Sequence, residues 1–313
     1  VTIKEPKMTV KIPDIARFVH EMADKLDRAY IEPGLSLQYA WWMVEAITKK
    51  SHASLLVAKT LDLTASQAEQ LEKWVEKQVY EREPLQYLIG TVPFLNTEIL
   101  VSPPTLIPRI ETEQWVGDLL EQIKFLRQEK LTILDLCSGS GCIAIALGKN
   151  LPHATVYAVD LAEHAIELTK KNIEHNKIKN VIVVQSDLFA RIPSDIKFDL
   201  IVSNPPYVTE DEWDELEPSV TRWEDKTALV AQQQGLEIIE KIIEVAPQFL
   251  NESSIITEYH LPQLLIEIGY KQGKKVADVM KATGFNNVQI VQDLAQKDRV
   301  VMGSFAHVAT NRT

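Results

Sequence analysis

The chain has 313 residues, about twice the length of a common single domain, and its 45% hydrophobic and 25% charged residues are ordinary for a folded protein. Disorder, collagen and low-complexity classes are thereby excluded. A net charge of -11 argues against a protein that grips long nucleic acid with its whole surface, since phosphate binding draws on clustered Lys and Arg. Cys137 and Cys142 are the only cysteines and lie in one segment, which fits a reducing compartment better than a disulfide framework. No run of 18 apolar residues is present to span a membrane. The sequence starts at Val1, so a preceding targeting segment is left unread and both a bacterial cytoplasm and a mitochondrial matrix stay open.

Residues 1–83 are expected to form a small helical domain. Tyr39, Trp42, Met43, Ala46 and Ile47 follow helical spacing, as do Leu71, Trp74, Val75 and Val79 behind a Thr64/Gln67 capping box. Pro33-Gly34 separates two of these segments. A tryptophan-bearing stripe of this kind is read as bundle core rather than as a ligand platform. Residues 84–108 are expected to be a hairpin connector: Leu85–Gly90, Phe94 and Thr97–Val101 have strand texture, and Pro103, Pro104 and Pro108 keep helix out. Residues 109–313 begin with a helix carrying Trp115, Val116, Leu119 and Leu120 and then alternate strand and helix. Strands are expected at Thr132–Leu136, Thr155–Asp160, Val181–Gln185, Leu200–Ser203, Leu264–Ile268, Val288–Val291 and Val300–Met302. Helices are expected at Cys142–Lys149, Ala162–Asn176 and Leu236–Leu250. The pattern is α/β, a largely parallel, Rossmann-like sheet covered by helices on both faces.

The loop Asp135-Leu-Cys-Ser-Gly-Ser-Gly-Cys142 joins a strand to a helix. Gly139 and Gly141 permit a sharp turn and close approach of a ligand to the free N–H groups of the helix start. Asp160 ends the next strand, where a carboxylate can accept both ribose hydroxyls of an adenosine. The dinucleotide fingerprint is met only with Ala144 in its last position. S-adenosylmethionine fits better, because the later motif supplies methyl-transfer chemistry and no hydride acceptor. Asp187 and Leu188, after the third strand, are the next candidates, for the adenine amino group and ring; Asp187 reads equally as a turn or N-cap residue.

Asn204-Pro-Pro-Tyr207 follows the strand Leu200–Ser203. Pro205 and Pro206 have no N–H to donate, so their carbonyls and the Asn204 oxygen are left as acceptors for a planar –NH2 group, with Tyr207 as a face for stacking. Acceptors on both hydrogens favour positive charge developing on that nitrogen as a methyl group arrives, and no strong general base is needed. Asn204, Pro205 and Tyr207 are therefore the expected catalytic residues, and Asn204 through Tyr207 the substrate site.

Over nearly the whole chain the sequence resembles the HemK/PrmC family, N5-glutamine methyltransferases of peptide-chain release factors. The resemblance is carried by Pro84-Leu-Gln-Tyr87, Leu106-Ile-Pro-Arg109 with Glu111-Thr-Glu113, Asp135–Gly141, Asn204–Tyr207, Arg222-Trp-Glu224 with Ala228-Leu229, Gln272-Gly273 and Asp298-Arg-Val300. It implies a helical N-terminal substrate-recognition domain joined by a hairpin to a methyltransferase domain. It also implies S-adenosylmethionine as cofactor and the Gly-Gly-Gln loop of a class I release factor as partner. The implied cofactor contacts are Cys137, Ser138, Gly139, Ser140, Gly141, Asp160, Leu188 and Asn204, and the implied substrate contacts Asn204, Pro205, Pro206 and Tyr207. Cys137 stands where the family usually has Gly, Ile110 where Pro is common, and Leu188 where an aromatic residue often meets adenine. The stretch between Leu250 and Ile268 is longer than in typical bacterial members, with Leu261-Pro-Gln263 inserted before the strand, which leaves the local surface and the organism group open.

Two other readings compete. Adenine-N6 and guanine-N2 methyltransferases use a similar motif on a planar base amine, but the -11 charge and the lack of a basic or aromatic-rich target-recognition domain oppose them. A non-catalytic binding module has no chemical reason to keep both Asp160 and Asn204. The histidines and cysteines lack zinc-ligand spacing, so no metal is expected. Glu111 and Glu113 can line the substrate entrance or serve only as helix-opening acids, the second reading being preferred slightly, and Arg222 reads as an anchor for the loop after the motif rather than as a catalytic group. A monomer without direct nucleic-acid or membrane contact is expected.

Overall fold

The computed structural model describes residues 9–29, 34–251 and 258–305. Val1 and Pro33 lie outside the described residues. The chain divides into two compact units, one comprising residues 1–90 with Pro218–Trp223, the other Thr91–Glu217 with Glu224–Thr313.

The first unit contains β1 (Thr9–Ile12), α1 (Ile15–Leu26), α2 (Leu35–Thr48), α3 (His52–Ala58), β2 (Leu61–Thr64), α4 (Ala65–Glu76) and α5 (Leu85–Ile89). Helices dominate as expected, and the Thr64/Gln67 capping box opens α4. Its apolar faces bury Val19, Leu26, Met43, Val44, Leu55 and Leu71 in one core. Two features differ from the sequence reading. β1 and β2 form a short antiparallel ribbon, with Thr9 opposite Thr64 and Ile12 opposite Leu61. Leu85–Ile89 is a helix rather than a strand: Pro84 precedes its first turn, and Gly90 ends it in the left-handed region with its N–H on Gln86 O. A stretch of five residues with one face buried is too short for period alone to separate helix from strand. Trp223 Nε1 donates to Glu81 O at 3.0 Å within this unit.

The second unit opens with the hairpin β3 (Thr91–Phe94) and β4 (Thr97–Leu100), followed by α6 (Ile110–Ile123). Glu113, read as a helix-opening acid or as a lining of the substrate entrance, accepts from Leu95 N at 2.7 Å and so fixes the hairpin turn. Then come β5 (Thr132–Leu136), α7 (Cys142–Asn150), β6 (Thr155–Asp160), α8 (Glu163–His175), β7 (Val181–Gln185), β8 (Leu200–Ser203) and α9 (Glu210–Asp214). After α10 (Pro218–Thr221), which belongs to the first unit, follow α11 (Gln232–Gly235), α12 (Glu237–Val245), β9 (Leu264–Glu267), α13 (Gly273–Ala282), β10 (Phe285–Gln292) and β11 (Asp298–Phe305). The α12 helix stops short of the expected Leu250 because Pro247 cannot continue the α-helical ladder, and the chain tightens to a 3-10 turn over Ala246–Gln248.

The seven strands are ordered β10-β11-β9-β8-β5-β6-β7, with β9, β8, β5, β6 and β7 mutually parallel and β10 and β11 antiparallel at one edge. Every residue of β8 and β9 is buried, as in a sheet covered on both faces. The strand order reverses between β5 and β8. In an open parallel sheet that switch point leaves a crevice at the carboxyl ends of the strands, which is where ligands bind.

Candidate active site

The crevice is a cavity of about 410 Å³ bordered by Cys137, Gly139, Asp160, Asp187, Leu188 and Asn204 among others. The structure thus brings together residues from the ends of β5, β6, β7 and β8. Pro206 also borders it, whereas Asn204, Pro205 and Tyr207 line an adjoining cavity of about 20 Å³ with Leu106, Arg109 and Leu229. Ser138, Ser140 and Gly141 do not border either cavity and act from behind the wall.

The β5–α7 loop is a backbone structure. Cys137, Gly139 and Gly141 all have positive φ, at 58°, 55° and 80°. Gly139 faces open space: a Cβ built there meets nothing within 4 Å, so a side chain would intrude into the cavity. Asp160 Oδ2 accepts from Gly139 N at 2.8 Å and Oδ1 from Ala162 N at 2.9 Å, so one carboxylate pins both strand-end loops. Each oxygen keeps a further lone pair for a ligand hydroxyl. Burial pushes the Asp160 carboxyl up, opposed by those two backbone N–H bonds. Burial also raises the Cys137 thiol, with the Asp160 charge adding to it, which keeps the sulfur neutral and unreactive.

Two buried polar atoms under this loop, Asp135 Oδ1 and Ser138 Oγ, have no partner among the described residues. Asp135 is fully buried, its Oδ2 accepts from Ala144 N at 3.0 Å, and burial holds its carboxyl well above the usual range. Leaving such atoms unpaired costs free energy, so they are suited to donors brought by a bound molecule or water. The open face of Gly139 and the Asp160 carboxylate border the cavity and fit a nucleoside, while Asp135 and Ser138 lie behind them and border neither cavity. Asp135 was not among the expected site residues. Its signal was the acidic residue next to the end of a buried strand ahead of the glycine pair. Asn172 was also missed: its Oδ1 accepts from Leu100 N at 2.6 Å, and its Nδ2 donates to Leu100 O and Ser140 O at 2.9 and 3.0 Å. One side chain thus ties the β3–β4 hairpin to the glycine loop.

The segment after β8 is held by side chains. Asn204 Nδ2 donates to Thr112 Oγ1 at 3.1 Å, and Thr112 donates in turn to Glu267 Oε2 at 2.7 Å. Trp115 Nε1 donates to the same Glu267 oxygen at 2.8 Å, and Tyr207 OH reaches Oε1 at 3.4 Å. Burial raises the Glu267 carboxyl, opposed by the Thr112 and Trp115 bonds and the Arg299 charge. Burial and the Glu267 charge raise the Tyr207 phenol, which therefore stays protonated at neutral pH. Gln272 Nε2 donates to Tyr207 O at 3.0 Å and to Gln234 O at 3.1 Å, while its Oε1 accepts from Gly269 N at 2.9 Å. Gly235 packs beneath this staple at φ 77°, where a Cβ would lie 2.0 Å from Tyr207 O.

The loop that follows is anchored by Arg109 rather than by the expected Arg222. Arg109 Nη2 pairs with the buried Glu224 at 2.5 Å, and Asp225 N donates to Pro104 O at 2.8 Å. Arg222 makes no ion pair among the described residues. The exposed Ile110 opens α6 behind the Arg109 N-cap, so Pro is not required there.

A parallel sheet with a glycine loop after β5, a strand-end carboxylate on β6 and Asn-Pro-Pro-Tyr after β8 defines a Rossmann-like methyltransferase. The family model for the methyltransferase small domain matches residues 118–217, and that for the PrmC N-terminal domain matches residues 19–90. The chain is 38% identical to the release factor glutamine methyltransferase of Thermodesulfovibrio yellowstonii, over 79% of this chain and 85% of that one. It is 34% identical to that of Lactococcus lactis, over 87% and 95%, and 33% identical to that of Escherichia coli, over 84% and 90%. The chain belongs to the release factor glutamine methyltransferase family.

Proposed function

We propose that the chain transfers a methyl group from S-adenosylmethionine to the side-chain amide nitrogen (N5) of the glutamine in the Gly-Gly-Gln loop of class I peptide-chain release factors, and so supports translation termination. The observation that carries this reading is Asn204: its amide nitrogen is engaged by Thr112, and its Oδ1 has no partner among the described residues while the residue borders both cavities. An acceptor so placed, beside two prolines that cannot donate, suits a substrate –NH2 and repels a substrate acceptor.

When bound, the cofactor supplies an electrophilic methyl group on a sulfonium. Asp160 would hold the ribose hydroxyls, Asp187 and Leu188 the adenine, and Cys137, Ser138, Gly139, Ser140 and Gly141 the remainder, through the loop backbone and the buried polar atoms beneath it. Asn204 Oδ1 and the Pro205 carbonyl would accept the two amide hydrogens and aim the nitrogen lone pair along the transfer line. Polarising those N–H bonds stabilises positive charge on nitrogen as the bond to carbon forms. Tyr207, neutral and partly buried, contributes a flat face rather than a base; the excess proton passes to solvent after transfer. The first unit serves substrate recognition and the second, opened by the β3–β4 hairpin, the chemistry, with the protein acting as a monomer. The reported relatives are bacterial, which favours a bacterial cytoplasm over a mitochondrial matrix.

The test is methyl transfer from labelled S-adenosylmethionine to an intact release factor, with the site located by mass spectrometry. Label is expected on the loop glutamine and none on a release factor lacking it. Labelling of an adenine or guanine amine in DNA or RNA oligonucleotides, with none on the release factor, would overturn the assignment.

A further inference from the structure

We propose that Thr112 and Glu267 are positioning residues: a two-step hydrogen-bond relay through them decides which end of the Asn204 amide faces the cavity, and thereby makes the site select a carboxamide over a carboxylate. The proposal rests on the glutamine-methylating reading above and deepens it to two buried side chains outside the motif.

The argument follows the polarity of each group. An indole N–H can only donate, so the 2.8 Å contact from Trp115 Nε1 fixes Glu267 Oε2 as an acceptor. Thr112 has one hydroxyl hydrogen, and its 2.7 Å contact with that same oxygen uses it. Only lone pairs then remain on Thr112 Oγ1. The Asn204 side chain 3.1 Å away must therefore present its –NH2, which leaves Oδ1 toward the cavity. Thr112 and Glu267 are 2% and 1% exposed, so water has little access to replace either partner.

Without the relay, the two ends of the Asn204 amide are nearly isosteric and can exchange by a half-turn of the last side-chain torsion. The flipped form offers –NH2 to the substrate. It would meet the –NH2 of a glutamine donor to donor, and would instead satisfy a glutamate carboxylate. Discrimination between the amide and its hydrolysed counterpart is thus set one and two residues away from the group that touches substrate. Tyr207, joined to the other oxygen of Glu267, shares the same buried anchor.

The experiment compares Thr112→Val and Thr112→Ser in the full chain. Val keeps the shape and removes the hydroxyl; Ser keeps the hydroxyl and removes the methyl group. If Thr112 only packed, Val would be the milder change. The relay predicts the reverse: Ser retains most of the wild-type kcat on a release factor, and Val loses about 100-fold, with cofactor affinity by calorimetry the same in all three. A release factor carrying glutamate in place of the loop glutamine should also bind the Val variant more tightly than wild type. Independently of any substrate, the Asn204 side-chain amide protons, followed by NMR in 15N-labelled protein, should be protected from exchange in wild type and Ser and unprotected in Val. A Val variant as active as Ser, or equal protection in all three, overturns the relay. If wild type fails to label the release factor, the functional reading falls, and the amide-proton comparison still judges the relay.

Discussion

The glycine loop after β5 and the Asn-Pro-Pro-Tyr segment after β8 border the same crevice, yet distant side chains hold the first by its main-chain atoms and the second mainly by its side chains. In the loop, shape comes from positive φ at Cys137, Gly139 and Gly141, and the side chains that anchor it, Asp160, Thr169 and Asn172, bind main-chain N–H and C=O groups. After β8, Thr112, Trp115 and Glu267 reach Asn204 and Tyr207 from α6 and β9, and Gln272 reaches in from the start of α13. A backbone-built wall tolerates many side chains so long as its turns survive. A wall wired by side chains concentrates its vulnerability in a few polar atoms.

The comparison can be broken most directly at Asn204. Asn204→Ala removes an acceptor that matters as charge develops, and should lower kcat by about 100- to 1000-fold while leaving cofactor affinity near wild type. Asn204→Asp keeps an acceptor and should retain more activity than Ala if positioning of the –NH2 dominates. Equal loss of cofactor binding and of rate in the Ala variant would show that the two walls are not separable. At Gly235, an added Cβ would sit 2.0 Å from Tyr207 O at φ 77°, so backbone must move. Gly235→Ala should destabilise by about 2–4 kcal/mol, read by urea unfolding, and should impair transfer more than cofactor binding.

On the opposite wall the expected effects are smaller and fall on the cofactor. Asp160→Ala should weaken S-adenosylmethionine by about 10- to 100-fold, the loss of charge-assisted bonds of about 1.5–3 kcal/mol. The pH dependence follows from the same group. Burial raises the Asp160 carboxyl, and protonation removes acceptor capacity, so affinity is full above that raised pKa and is lost as pH falls through it. The decline should therefore begin at a higher pH than an ordinary aspartate would set, and Asp160→Asn should flatten it. Calorimetry across the acid range checks both. The smallest effect belongs to Cys137. Cys137→Gly relieves a left-handed φ of 58° but loosens the unfolded chain, two contributions of about 1 kcal/mol each and opposite sign. Net stability should change by less than about 1 kcal/mol, which accounts for a non-glycine residue at this turn.

What could be read from the sequence divides along the same line. The strands from β5 to β8, the glycine loop and the placement of Asp160 and Asn204 at strand ends follow from local patterns, because each depends on a few adjacent residues. Thr64 and Gln67 were legible as a capping box for the same reason. The β1–β2 ribbon was not, since Thr9–Ile12 finds its partner across an intervening helical stretch. Nor was the wiring after β8: Glu267 sits at the end of an otherwise apolar strand, and nothing near it in sequence says that Thr112 and Trp115 share its oxygen. Glu113 was placed correctly at a helix start and Arg109 in the connector motif, but their structural partners, Leu95 and Glu224, are set only by the fold.

The membership of Pro218–Trp223 in the first unit has a practical consequence for protein engineering. That unit is discontinuous: Trp223 donates to Glu81 from a segment that the chain supplies only after the Asn-Pro-Pro-Tyr turn has been made. A cut at Gly90 does not release a transplantable module, because six of its residues stay behind with the other fragment. A chimera that exchanges this unit between relatives has to carry both stretches, and a nascent chain leaving the ribosome cannot finish its first unit until well over half of the second has been synthesised.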